Sequence, residues 1–106
     1  MTNYLVMQAA RFGDLVQTKR LILTLQARGQ VHLLLDKALV PLARLIYPQC
    51  ICYPFHFHGK IDLDSVAQNR QVLANLATLH FDEIYNCNYS PMTSAICRMF
   101  ESEIFG

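Results

Sequence analysis

Charge is scarce in this sequence. Charged residues make up 16% of its 106 positions and hydrophobic residues 53%, so the chain is too apolar to be a disordered segment. It has no internal repeat, low-complexity tract or linker. We therefore expect a single domain with a modest core, whose stability is marginal unless a second domain or a partner covers part of its surface.

The sequence also has no large excess of either charge, and it has no long apolar run. Nine basic and eight acidic residues give a net charge of +1, without the basic stripe that a nucleic-acid backbone requires. Apolar runs such as residues 5–7 and 31–35 are far shorter than the roughly 20 residues of a membrane-spanning helix. No cationic and apolar leader opens the chain. We therefore expect no nucleic acid partner, no membrane span and a cytoplasmic location.

A C-x-x-C pair is missing from the cysteines. The four are Cys50, Cys52, Cys87 and Cys97. The run around Cys50 and Cys52 is typical of a strand, and we interpret it as directing the two thiols to opposite faces. Without a matching second pair, the spacing favours buried, reduced thiols over disulfides or a metal site.

Short apolar runs alternate with amphipathic stretches, which predicts an α/β domain with a parallel sheet in the order βαβαβαβα. The predicted strands are about 4–8, 31–35, 50–53 and 81–87, and the helices about 15–28, 36–46, 62–77 and 90–100. Asp36 and then Asp62 or Asp64 are candidate helix caps, and Pro41 suits a first helical turn. Residues 54–60 are predicted to be a loop, and a further strand is expected to begin near Ile104.

The third helix has the clearest apolar pattern. Its apolar residues recur at three- and four-residue steps, with polar residues between them, and this stripe is expected to face the core. The stripe consists of Leu63, Val66, Ala67, Leu73, Leu76 and Ala77.

Ligands bind beyond the carboxyl ends of parallel strands, so the loops after the first, third and fourth strands are the candidate sites. Residues 8–14 form the first of these loops, with Gly13 for a tight turn and Asp14 at the helix start. Neither G-x-G-x-x-G nor G-x-x-x-x-G-K occurs, so no nucleotide phosphate is expected there. From the residues alone, Asp14 with Gln17 fits a capping box, and a helix cap is the favoured role of this carboxylate.

The segment Arg11-Phe12-Gly13-Asp14-Leu15-Val16-Gln17-Thr18 resembles the opening motif of glycosyltransferase family 9, the heptosyltransferases of lipopolysaccharide core synthesis. At the level of pattern the resemblance continues through residues 32–36, 42–45, 81–86 and 90–100. It implies a Rossmann-like, doubly wound parallel sheet that forms the amino-terminal, acceptor-side half of a GT-B enzyme. Residues 1–106 would be that domain, without the carboxy-terminal donor domain.

The resemblance also implies a role for Asp14. In this family the acid of the Gly-Asp motif is the proposed general base, and a carboxylate can take the proton of an acceptor hydroxyl as it attacks the anomeric carbon with inversion. Capping and base roles are compatible because the carboxylate has two oxygens. The ADP-sugar donor would bind the second domain, so we expect no cofactor in this chain and no activity from the chain alone.

Further candidates would contact an acidic glycan or lipid-linked acceptor. In the glycine loop, Arg11 beside Gly13 suits a phosphate or carboxylate, with a solvated charge as the alternative. Lys60 follows the third strand, and Asn88 and Ser90 follow the fourth, where Ser90 is equally suited to cap a helix.

The loop after the third strand contains two histidines. His56 and His58 are predicted to lie on one side of that loop, but the sequence offers no third metal ligand, so a metal site is not favoured. Arg70 in the next helix is predicted to be a surface charge, with a contact to an acidic sugar as the alternative.

A stand-alone α/β binding or interaction module without catalysis is the alternative to an enzyme domain. The two differ in whether a second βα series accompanies this one. The enzyme interpretation adds that a truncated domain would self-associate through an exposed apolar face, and that the full-length protein would be peripheral to the inner membrane.

Overall fold

The computed structural model describes residues 2–8, 18–57, 62–87, 96, 98 and 103–105. These residues form strands joined by helices, as the sequence pattern predicts. The elements are β1 (Asn3–Gln8), α1 (Lys19–Gln26), β2 (Gln30–Asp36), a 3₁₀ turn (Lys37–Leu39), α2 (Val40–Ile46), β3 (Ile51–Phe55), α3 (Leu63–Ala77), β4 (Glu83–Asn86) and β5 (Glu103–Phe105).

The strands form one parallel sheet in the order β3-β2-β1-β4-β5. The predicted α/β class with a parallel sheet is confirmed, and β5 pairs Ile104 with Ile84 where a further strand was expected. The chain moves outward from β1 through β2 to β3 and then crosses back to place β4 on the other side of β1. The direction of the strand order therefore reverses between β1 and β4.

Both faces of the sheet are covered, because β1 alternates its side chains between two cores. Tyr4 and Val6 pack with residues of α1 and α2 on one face. Leu5 and Met7 pack with α3 and the helical residue Ile96 on the other. A strand buried on both faces is continuously apolar rather than alternating, which explains the composition of β1.

The third strand extends further than predicted. Pro54 and Phe55, assigned to a loop from sequence, belong to β3, where Pro54 lies opposite Leu35 and Phe55 opposite Asp36. Proline cannot donate to a ladder and is tolerated only at a sheet edge. Since β3 is an edge strand, Pro54 can lie in it although it has no amide hydrogen to donate. The last residue of the strand, Phe55, is buried.

Both predicted caps in this part of the chain are confirmed. The Asp36 carboxylate accepts a hydrogen bond from the Ala38 amide at 3.1 Å, and Pro41 lies in the first turn of α2. At α3 the cap is Asp62, whose carboxylate accepts from the Ser65 amide at 2.8 Å. That backbone hydrogen bond, followed by one from the Ser65 hydroxyl, holds the pKa of the Asp62 carboxyl below its usual value.

The predicted core stripe of α3 is wrong for most of its members. The Leu63 side chain is 87% exposed and Val66 38%, and Ala67 and Ala77 are also exposed. Of the predicted stripe, only Leu76 is fully buried and Leu73 partly so.

The sheet-facing side of α3 instead begins with two polar residues, Ser65 and Asn69. Asn69 accepts from the His56 amide at 2.8 Å and donates to the His56 carbonyl at 3.3 Å. Together with the Asp62 cap, these bonds set the rotation of the helix. The outer side is left as an open groove of about 490 Å³, lined by Leu63, Val66, Ala67, Arg70, Gln71 and Ala74.

The expected placement of the thiols on opposite faces is also wrong. Cys50 and Cys52 both pack against the core that α1 and α2 cover, because residues two apart in a strand share a face. Like Cys87, they are half-buried and form no disulfide with another described cysteine. Burial raises the pKa of the Cys50 thiol to about 11, and it raises those of Cys52 and Cys87 as well.

Candidate binding site at the carboxyl edge of the sheet

The carboxyl ends of β1 and β4 lie side by side where the strand order reverses. Met7 is in register with Asn86, and the Cys87 amide donates to the Met7 carbonyl at 3.0 Å. In open parallel sheets, ligands bind outside the strand ends at such a reversal point. The last residues of the two strands, Gln8 and Asn86, lie at this point.

Gln8 is a fully buried amide at the end of an apolar strand. Its Oε1 accepts a hydrogen bond from the Thr18 hydroxyl at 2.9 Å. Because Thr18 immediately precedes α1, this bond holds the amide at the carboxyl edge. The Gln8 Nε2 group has no hydrogen-bond partner within the described residues.

Asn86 is the matching residue of β4, with 7% of its surface exposed. Its neighbour two residues back, Ile84, packs on the face that α3 covers, so Asn86 lies on that face, whereas Gln8 lies on the face of α1. Asn86 Oδ1 is likewise unpaired in the part of the chain described. A buried polar atom without a partner costs about 1–3 kcal/mol, so two such atoms at the ends of neighbouring strands make this end of the sheet a candidate ligand site.

Other polar groups at this edge have structural partners. Asp36, at the end of β2, accepts from the Phe57 amide at 3.3 Å in addition to capping the 3₁₀ turn. His56 Nε2 lies 2.6 Å from Gln68 Oε1, while its backbone is held by Asn69. Among the described residues no group of three metal-ligating side chains occurs. These contacts hold His56 and Phe57, the two described residues after β3, against Asp36 and α3.

The site residues predicted from sequence all lie outside the described residues. They are Arg11, Gly13, Asp14, Lys60, Asn88 and Ser90, and His58 lies outside as well. Their roles stay predictions. Gln8 immediately precedes the segment of residues 9–17, and Cys87 immediately precedes residues 88–95, so the described strand ends lead directly into two of the three predicted loops.

Sequence reasoning missed Gln8 and Asn86. The sequence pattern predicts Gln8 at the junction of the first strand and the loop of residues 8–14 and Asn86 within the fourth strand, and it assigns neither a binding role. The available signal was a polar side chain closing an apolar buried strand, since such a side chain has no water to bond to. Which of its atoms go unpaired depends on the packing around it.

A second polar cluster lies at the amino edge of the same sheet. The buried His32 has its Nδ1 2.9 Å from the Tyr53 hydroxyl and its Nε2 3.3 Å from Asn3 Oδ1. Its ring stacks on Tyr53 and meets Phe81 edge to face. The backbone amide of Asn3 in turn donates to the Asp82 carboxylate at 2.9 Å. Burial lowers the pKa of His32, so the neutral ring, with Nε2 donating and Nδ1 accepting, fits this cluster.

Comparison with protein-family models, with curated proteins and with solved structures finds no match to this chain. None of the helices in the described ranges is long and apolar enough to cross a membrane. Functional inference therefore depends on the residues and their geometry.

Proposed function

We propose that this chain is the acceptor-side domain of an inverting glycosyltransferase of the GT-B type. It would take part in moving a heptose-like sugar from an ADP-sugar to a lipopolysaccharide core acceptor. The observation that carries the proposal concerns β1, the strand that precedes the segment with the Gly13–Asp14 motif. The carboxyl end of β1 lies where the strand order reverses, and ligands of open parallel sheets bind outside such a point.

The two polar residues that end β1 and β4 support the proposal. A sugar site needs neutral hydrogen-bonding groups at its wall, and the unpaired amide atoms of Gln8 and Asn86 supply them. The thiols described in the structure are poor nucleophiles, because burial raises their pKa values. Carboxylate chemistry in the loop after β1 is the better assignment.

In the proposed reaction the Asp14 carboxylate accepts the proton of the acceptor hydroxyl. The hydroxyl oxygen attacks the anomeric carbon of the donor, and the bond to the ADP leaving group breaks with inversion. Arg11 and Lys60 would pair with acidic groups of the acceptor, while Asn88 and Ser90 would bond its hydroxyls. Holding the acceptor and donor in line would supply a further part of the rate.

The test is the turnover of Asp14→Asn and Asp14→Ala in the enzyme carrying both halves. We expect kcat to fall by about 10² to 10⁴, the usual contribution of a general base. Loss of a helix cap costs roughly 1 kcal/mol, so the variants should still fold. Asp64→Asn, an exposed acid in the first turn of α3, is the matched control. Near-normal turnover of Asp14→Asn would remove Asp14 from the mechanism.

A binding module without catalysis is the second candidate, because unpaired amides call for a ligand but not for a reaction. Titration of this chain with ADP-heptose, ADP and a core oligosaccharide distinguishes the two. The acceptor-side proposal expects the oligosaccharide to bind and the nucleotides not to. Micromolar binding of ADP or ADP-heptose to this chain would contradict the assignment of the donor to another domain.

A further inference from the structure

We infer that Gln8 and Asn86 recognise hydroxyl groups of a neutral, polyhydroxylated part of the ligand at the carboxyl edge. The inference deepens the proposed function, and it depends on that function only for the statement that the ligand is the sugar acceptor. It assigns to these two amides the selection of the ligand, a role distinct from the proton transfer at Asp14.

The first step in the argument is burial. The Gln8 side chain is fully buried and that of Asn86 is 7% exposed, yet each has an atom without a hydrogen-bond partner in the described ranges. Each of the two amides closes a strand whose other residues are well packed. An apolar residue at either position would avoid the cost of an unpaired buried atom. The amides are therefore best explained by a ligand that supplies the missing partners.

The second step is the chemistry of those partners. Gln8 Nε2 donates and needs an acceptor, whereas Asn86 Oδ1 accepts and needs a donor. An ionised phosphate or carboxylate only accepts, so it satisfies Gln8 and leaves Asn86 unpaired. A hydroxyl both donates and accepts, so it can pair with either amide, even if the nitrogen and oxygen of that amide exchange places.

The third step is charge. Both side chains are neutral, and a neutral amide pair does little to offset the cost of taking an anion out of water. Sugar hydroxyls carry no such cost. The end of the sheet at β1 and β4 is therefore suited to the neutral face of a glycan.

The two amides also fix how a ligand sits. They end neighbouring strands, which lie about 4.8 Å apart, but they point to opposite faces of the sheet. One ligand that contacts both must straddle the end of the sheet at the reversal point. A ligand with hydroxyls along its length can do so.

The decisive measurement concerns the ligand-free protein and compares two Asn→Leu substitutions. For Asn86→Leu we expect the melting temperature to be unchanged or raised, because an unpaired buried atom is removed. For Asn69→Leu, which removes both bonds to the His56 backbone, we expect a fall of about 4 °C or more. A comparable fall for Asn86→Leu would show that Oδ1 has a partner within the protein, and the inference would be wrong.

Binding is tested by following the side-chain amide signals of Gln8 and Asn86 in ¹H–¹⁵N spectra of this chain. Methyl glycosides of heptose and glucose should shift both signals, and inorganic phosphate should not. Gln8→Met and Asn86→Leu should each weaken binding of the responding glycoside about tenfold or more, the effect of losing one buried hydrogen bond. Shifts with phosphate but not with either glycoside, or with neither probe, would overturn the inference.

These outcomes are separable from those of the proposed function. Glycoside binding through the two amides, with normal turnover of Asp14→Asn, would leave the inference standing and remove the proposed base. Loss of turnover in Asp14→Asn, with no response of the amides to any glycoside, would support the proposed base and overturn the inference.

Discussion

The two edges of the sheet differ in whether their buried polar atoms have hydrogen-bond partners. At the amino edge, both ring nitrogens of His32 have partners, and Asn3 links the ring to Asp82. At the carboxyl edge, Gln8 and Asn86 each have an atom without a partner in the described residues. Satisfied buried groups stabilise one arrangement of the core, whereas unsatisfied ones cost stability until something binds. This difference is what the proposed ligand site at the carboxyl edge would produce.

Helix α3 runs between these edges and shows the same contrast along its length. Near the carboxyl edge its sheet-facing residues are Ser65, whose backbone amide bonds the Asp62 cap, and Asn69, which bonds the His56 backbone after β3. Towards the amino edge they are Val72 and Leu76, which pack into the core with Phe81. The helix thus presents polar groups at the carboxyl edge and apolar groups at the amino edge.

The largest expected effect tests this contrast within α3, with two leucines of one helix. Leu76→Ala should lower the free energy of unfolding by about 2–5 kcal/mol, because it leaves a cavity in a packed core. Leu63→Ala, at a side chain that is 87% exposed, should change it by less than about 0.5 kcal/mol. Urea unfolding of both variants measures the difference. Equal losses would mean that the outer side of α3 is covered in the folded protein.

The next effect tests the claim that the amino edge is satisfied. His32→Leu removes the partners of the Tyr53 hydroxyl and Asn3 Oδ1, and we expect it to cost about 1–3 kcal/mol. Tyr53→Phe breaks only one of the two bonds, so its cost should be nearer 1 kcal/mol. Chemical denaturation is again the measurement. If His32→Leu raised the stability, the buried polar groups of the amino edge would be unsatisfied, like those of the carboxyl edge.

The smallest effect is a pH dependence at the amino edge. Burial lowers the pKa of His32 below its usual value of 6.5, so the unfolded chain binds a proton at a higher pH than the folded chain does. The contribution of the neutral ring to stability is therefore fully present above pH 6.5 and is lost as the pH falls from there through the lowered pKa.

Melting temperatures measured from pH 8 to pH 5 should reveal this loss. His32→Leu should flatten the profile over that range. His80→Gln, at a side chain that is 79% exposed, should leave the profile as it is and serves as the control. If the melting temperature of His32→Leu still fell with pH, a group other than His32 would be responsible for the pH dependence.

The sequence predicted the described elements well because the signals for them are local. Asp36, Pro41 and Asp62 act within one turn of a helix, and the caps at Asp36 and Asp62 were identified from type and spacing alone. The errors were also physical. The stripe from Leu63 to Ala77 fits a helical period, but the bonds of Asn69 to His56, thirteen residues away, decide which side of α3 meets the sheet.

By itself, the sequence determined the alternation of strands and helices and hence a parallel α/β sheet, since apolar period, caps and prolines act over a few residues. Only the tertiary structure decided that β4 lies beside β1, so that Gln8 and Asn86 end neighbouring strands, and that each has an unpaired atom in the described residues while His32 is satisfied. These features depend on contacts between residues far apart in the chain. Whether a buried polar atom has a partner is settled by every element packed around it.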